Sequence, residues 1–199
     1  RDSAYSAWGD VDGDGDLDLF IGQYKQPYVK GQMPTPYYDA NDGYPAYLLQ
    51  NNGSGIFTDI TERAGLGQKR FRRSYGASFV DLNEDGKFDL LVSSDFAGID
   101  IYEGNGHGMF KEVTNGLIDQ RHTFGMSHVF ADFNTDGKLD FFSVGMSSTT
   151  GRRLELMGLG RDEHKHIDAM RSSMSYGNRL YFATESGFEQ PSFNDQVSR

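Results

Sequence analysis

Apolar and aromatic residues recur along this chain in twelve short runs, arranged as three sets of four. The first set covers 4–8, 17–21, 46–50 and 56–61; the second covers 76–80, 88–92, 99–103 and 109–114. The third covers 126–131, 139–144, 178–183 and 187–191. In every set a glycine-containing turn separates the third run from the fourth. Short runs punctuated in this way predict β-hairpins rather than helices. Each set therefore predicts four antiparallel strands.

Between the first and second run of every set lies a nine-residue acidic window. The windows are 10–18, 81–89 and 132–140, and they align without gaps as D-x-[DN]-x-D-G-x-[LF]-D. Their starts are 71 and then 51 residues apart. The extra length of unit one falls at 22–44, where Pro27, Pro34 and Pro36 argue against a central strand. Unit three carries an insertion over 145–173, of which 161–173 predicts a short helix. Four-stranded units in tandem predict blades of an all-β propeller: 1–75, 76–125 and 126–199. Natural propellers close with about four to eight blades. Three blades are thus expected to belong to one larger propeller domain. The start at Arg1 rather than Met fits a processed or partial chain.

Charge sharpens the picture. The net charge is −10, and the three windows hold 12 acidic residues and two lysines. The remaining 17 acids are matched by 17 bases. Carboxylates packed this closely repel one another unless something neutralises them. Position 6 is always glycine (Gly15, Gly86, Gly137), which permits a sharp turn that a Cβ would oppose. Oxygen-bearing side chains stand at positions 1, 3, 5 and 9, and position 7 can offer its backbone carbonyl. An all-oxygen ring suits a hard cation, and calcium, which accepts six to eight protein oxygens, suits it better than magnesium. Three divalent ions would bring the net charge to −4. An EF-hand is ruled out because position 12 is Ile21, Val92 or Ser143 instead of glutamate, and the flanks read as strand.

The repeated D-x-[DN]-x-D-G-x-x-D followed by an apolar strand resembles the FG-GAP repeat, also called the VCBS repeat, of integrin α-subunit-like propellers. The stretches 47–66 and 174–181 are similar to the cartilage acidic protein 1-like branch. The resemblance implies one Ca²⁺ per loop, about three in all. Carried over residue by residue, the side-chain ligands would be Asp10, Asp12, Asp14 and Asp18; Asp81, Asn83, Asp85 and Asp89; and Asp132, Asn134, Asp136 and Asp140. Asp16, Lys87 and Lys138 would add carbonyls. It also implies an extracellular, periplasmic or cell-surface protein that acts in adhesion or as a protein-interaction scaffold, not as an enzyme. The alternative is a propeller module of a polysaccharide-active enzyme whose catalytic residues lie outside this chain. A subunit of a larger assembly is a third possibility.

The remaining chemistry-bearing residues carry weaker signals. There is no cysteine, so disulfides, thiolate zinc sites and a cysteine nucleophile are absent. His164 and His166 do not complete a zinc site and are expected on a solvated helix face. His107, His122 and His128 are isolated, with packing or turn roles expected. Neither a nucleophile elbow nor a phosphate loop occurs. The acidic balance argues against nucleic acid as a partner, and no apolar run approaches the roughly 18 residues of a membrane span. The basic stretch 69–73 reads as a solvated loop or, in rivalry, as a docking site for an acidic partner or sulfated glycan. Tyr28, Tyr37, Tyr38, Tyr44 and Tyr47 suit either protein or sugar recognition or packing of the first insertion.

Overall fold

A computed structural model describes residues 4–25, 38–158, 170 and 173–191. It contains three four-stranded antiparallel sheets in which each strand pairs with the next in sequence. Sheet one comprises β1 (Ala4–Gly9), β2 (Asp18–Gln23), β3 (Tyr47–Asn51) and β4 (Phe57–Asp59). Sheet two comprises β5 (Arg73–Val80), β6 (Asp89–Asp95), β7 (Gly98–Gly104) and β8 (Phe110–Glu112). Sheet three comprises β9 (Gly125–Ala131), β10 (Asp140–Gly145), β11 (Arg179–Thr184) and β12 (Gly187–Glu189). All twelve expected strands are present, although the fourth of each sheet is shorter than the sequence pattern suggests. Two helices were not anticipated: α1 (Thr114–Leu117) and α2 (Thr149–Leu156). The helix expected at 161–173 lies largely outside the described residues, as do His164, His166, Tyr28, Tyr37 and the three prolines of the first insertion.

The sheets stack side by side, with β1 next to β5 and β5 next to β9. This propeller-like order follows from strand periodicity. On β6, Leu90 and Val92 point into a core shared with Phe20, Leu48 and Ile60 of sheet one. Leu91 points the other way, into a core shared with Phe141 and Tyr181 of sheet three. Every residue of β6 is buried, because sheet two is covered on both faces. A fully buried Leu contributes about 1.5–3 kcal/mol by leaving water. Phe141 stacks on Tyr181 at 4.2 Å and meets Phe188 edge-on at 5.0 Å, so an aromatic cluster lines the sheet-three side of the second seam, against Leu91, Ile99 and Ile101. Within that seam His128 bridges Ser93 and Ser78, at 2.8 Å to each hydroxyl. Burial lowers its pKa to about 4, which makes it a neutral packing residue as the sequence suggested.

The two outer faces tell the same story from the other side. Trp8, Phe79 and Phe130 each stand two residues before an acidic window. Phe79 packs between sheets one and two, and Phe130 between sheets two and three. Among the described residues no further sheet covers Trp8, which is 53% exposed and meets Phe57 edge-on at 6.2 Å. On sheet three Val129 and Val144 are exposed on the opposite outer face.

The basic stretch corrects the sequence reading. It is neither a solvated loop nor a free cationic patch, because all four bases are engaged in ion pairs. Lys69 Nζ lies 2.6 Å from Asp100 and 3.1 Å from Glu112. Arg70 pairs with Glu62 at 2.9 Å and stands over the Tyr47 ring. Arg72 reaches Asp100 at 3.0 Å and Asp39 at 2.7 Å, and Arg73 reaches Asp42 at 2.8 Å. Arg121 adds a third cation to the fully buried Asp100, at 3.0 Å. Asp39 and Asp42 belong to the end of the first insertion, so these pairs fasten it to sheet two. Nearby, Ala40, Phe96, Phe124 and Met174 form a small apolar cluster at the sheet ends opposite the acidic loops, with Tyr38 packed against it. Of the tyrosine cluster, Tyr38 and Tyr47 pack, and Tyr44 is exposed.

Two outcomes follow. Asp100→Asn leaves buried Arg72 and Arg121 without their shared carboxylate, and stability should fall by about 3–5 kcal/mol in urea unfolding. Asp95 is buried, accepts a hydrogen bond from Tyr24 Oη at 3.1 Å, and has its other oxygen unpartnered. Burial raises its pKa to about 6. The folded state therefore keeps a proton that the unfolded chain releases, and this contribution is lost as pH rises from about 4 through 6. Asp95→Asn should gain about 1–3 kcal/mol relative to the parent between pH 4 and pH 7. A pH-independent difference between the two proteins would contradict the assignment.

Candidate metal sites

Each acidic window joins the first strand of its sheet to the second. The same hydrogen-bond frame recurs three times. At position 1, Asp10 accepts amides from Gly13 at 2.8 Å, Asp14 at 3.1 Å and Gly15 at 3.0 Å. Asp81 accepts from Asp85 at 3.1 Å and Gly86 at 2.8 Å, and Asp132 from Asp136 at 3.1 Å and Gly137 at 2.9 Å. Position 3 of the later loops, Asn83 and Asn134, accepts the amides of Asp85 and Asp136, each at 3.0 Å. At position 5, Asp14, Asp85 and Asp136 accept the amide of position 7 at 2.9, 3.0 and 2.9 Å. Position 7 is Asp16, Lys87 or Lys138, and the two lysine ammoniums pair with Asp85 at 2.8 Å and Glu185 at 2.6 Å.

Position 9 does more than the sequence suggested. Asp18, Asp89 and Asp140 are at most 2% exposed. One oxygen of each accepts the amide of position 2: Val11 at 3.0 Å, Leu82 at 3.0 Å and Phe133 at 2.9 Å. The other accepts an amide on the third strand: Asn51 at 2.8 Å, Gly104 at 2.9 Å and Ala183 at 2.8 Å. Burial raises the carboxyl pKa of Asp18 and Asp89, and the neighbouring loop acids add to the rise while the amide bonds oppose it. The exposed Asp85 is held low, first by the Lys87 ammonium. Asp136 is held low, first by the Lys138 amide.

Backbone shape sets the convergence. Position 6 is left-handed in all three loops, with φ of 92°, 80° and 88° at Gly15, Gly86 and Gly137. Position 4 is left-handed too: Gly13 at 78°, Glu84 at 60° and Thr135 at 62°. The motif gave no warning that a glutamate and a threonine would adopt this region.

The structure brings positions 1, 3 and 9 of loop one together. One carboxylate oxygen from each of Asp10, Asp12 and Asp18 lies within 4.8 Å of the others. Asp14 stands outside this trio. In loops two and three asparagine replaces the acid at position 3, and no acidic trio forms there among the described residues. Asp12 supplies the test of fit for a cation. Its Oδ2 accepts a bond from Gln50, while Oδ1 is buried with no hydrogen-bond partner. A buried carboxylate oxygen without a donor is costly, and a cation at the trio would satisfy it. The donor set is oxygen only, which matches a hard ion.

A β-branched residue in the left-handed region is strained. Thr135→Gly should therefore raise stability by about 0.5–1 kcal/mol in thermal or urea unfolding. A loss instead would show that the Thr135 side chain contributes more than its backbone strain costs.

The repeat itself is shared with known proteins. Residues 10–92 and 81–143 match FG-GAP-like repeats. Over 135 residues the chain is 28% identical to cartilage acidic protein 1 of Xenopus tropicalis, which covers 62% of this chain and 19% of that protein. The chain thus spans about a fifth of the length of that relative. A solved structure of an Agrocybe aegerita lectin that recognises non-reducing terminal N-acetylglucosamine overlaps 94% of this chain and 36% of the lectin chain, at 16% identity and a TM-score of 0.42. The matched repeats begin on Asp10 and Asp81, the first residues of two of the acidic loops, and they run across two thirds of the sequence: the chain belongs to the FG-GAP-like repeat family.

Proposed function

We propose that this chain is a calcium-stabilised segment of a β-propeller, serving an exported protein as a non-catalytic interaction module. The observation that carries the reading is the thrice-repeated loop frame, and within it the buried, unpartnered Asp12 Oδ1 beside Asp10 and Asp18. Calcium bound at each loop would neutralise carboxylates that otherwise repel. It would also fix the turn between the first two strands of its sheet. In loop one the ligand oxygens would come from Asp10, Asp12 and Asp18, with Asp14 and the Asp16 carbonyl completing the set. Loops two and three would use Asp81, Asn83, Asp85 and Asp89, and Asp132, Asn134, Asp136 and Asp140, with the Lys87 and Lys138 carbonyls.

The exposed apolar faces of sheets one and three support membership of a longer ring, since the matching faces of sheet two are covered by neighbouring sheets. Similarity to a cartilage acidic protein supports an extracellular setting and an interaction role. No helix among the described residues is long and apolar enough to cross a membrane.

Ligand that binds only the folded state stabilises it by about 4 kcal/mol per site at a thousandfold excess over Kd. EDTA should therefore lower the melting temperature, and added calcium should restore it. A melt that does not respond to either would defeat the calcium reading. Asp14→Ala should remove one calcium equivalent in a titration, and full stoichiometry in that variant would refute the ligand assignment of loop one.

A further inference from the structure

The two seams between sheets differ at the acidic-loop end. In the first seam, the turn joining β7 to β8 has five residues, 105–109, and it fills the space beside loop one. Gly108 donates its amide to the Val11 carbonyl at 2.9 Å, and Val11 is buried. In the second seam the corresponding turn, between β11 and β12, has only Glu185 and Ser186. It falls short of loop two. Leu82, which holds the place of Val11, is only half-buried, and among the described residues no backbone amide reaches its carbonyl. A cleft of about 470 Å³ is left between sheets two and three. Its apolar wall includes Ile101, Val113, Leu117 and Phe188, and its rim includes Glu84, Glu103 and Glu185.

We propose that this cleft binds a peptide of a protein partner that inserts a lysine or arginine side chain. The assignment rests on the reading of the chain as an interaction module and adds a place and a chemistry to it. Three features set the occupant. The matching space in the first seam is filled by peptide, with a backbone amide on the carbonyl at position 2. An incoming peptide amide would do the same for Leu82. The wall is apolar and suits the methylene stem of a long side chain. The rim is acidic and suits its charged head, with carboxylates giving charge-assisted hydrogen bonds. Lys138 shows the preference in miniature, since its ammonium already sits on Glu185 at the rim, 2.6 Å away. Calcium in loop two would neutralise Asp81 and Asp89 but leave Glu84 and Glu103 charged, with Glu185 already paired to Lys138, so the rim keeps its sign when the loop is loaded.

The test is an amide-resolved NMR titration of the 199-residue chain in excess calcium. The probes are N-acetyl-lysine methylamide, its uncharged norleucine counterpart, and n-butylamine. The lysine derivative should shift the amides of Leu82, Leu117 and Gly187 saturably. The norleucine derivative, which lacks the charge, and butylamine, which lacks the peptide, should both bind more weakly. Glu84→Gln with Glu103→Gln should weaken the lysine derivative about fivefold, as expected for two exposed ion pairs. Leu117→Trp should fill the cleft and abolish binding. Shifts spread evenly over all three acidic loops, equal binding of butylamine and the lysine derivative, or binding that survives Leu117→Trp would each overturn the proposal. Calcium loading is read separately, from the amides of Asp14 and Asp136. A failure there would sink the calcium reading and leave the cleft result to stand or fall alone.

Discussion

The buried aspartate at the end of each acidic loop is the constraint on which the fold depends. Asp18, Asp89 and Asp140 each join three pieces of chain: the loop, the second strand that carries the residue, and the third strand beyond it. A charge held at so little exposure is tolerated only because both oxygens are met by amides. The bonds fix where the loop sits relative to the sheet. They therefore also fix where the other loop oxygens meet. Loop chemistry and sheet register are thus set by one side chain per repeat, and a cation would add to an arrangement that the backbone already organises.

The stacking of sheets rests on a simpler rule. Strand residues alternate sides, so Leu90 and Val92 belong to one seam and Leu91 to the other. Polar groups inside the seams are handled in pairs or clusters. His128 lies between two serines, and Asp100 lies among three cations. Breaking such a cluster is far more costly than its net contribution suggests, because the survivor is left charged and dry.

Much of this was legible in the sequence, and the limits have physical causes. Short apolar and aromatic runs with glycine turns located all twelve strands, because strand formation follows local pattern. The oxygen-bearing loop positions were legible because the motif repeats three times. The pairing of the basic stretch was not. Lys69 meets Asp100 and Arg72 meets Asp39 across separations of 31 and 33 residues, which no local pattern encodes. The left-handed Glu84 and Thr135 were invisible for another reason: neither residue favours that backbone region, and the surrounding amide bonds impose it. The second-seam cleft depends on a difference of three residues between two turns, which is small on the page and large in space. Helix α2 was missed because its stretch, Thr149–Leu156, contains a glycine and is polar apart from Leu154 and Leu156.

The first insertion leaves and rejoins the sheet through a closed polar latch. Lys25 donates to the Asp42 carbonyl at 2.9 Å, and Arg73 holds both the Lys25 carbonyl and the Asp42 carboxylate, each at 2.8 Å. The exit and the return are thereby held side by side. Once the two ends of a loop are pinned together, each doubling of the length between them adds only about 0.6 kcal/mol of closure entropy. The repeat has in effect a socket for foreign sequence. Segments of very different length and composition could be spliced between Lys25 and Tyr38 during evolution, or by design, while Asp39, Ala40 and Asp42 keep their contacts with sheet two.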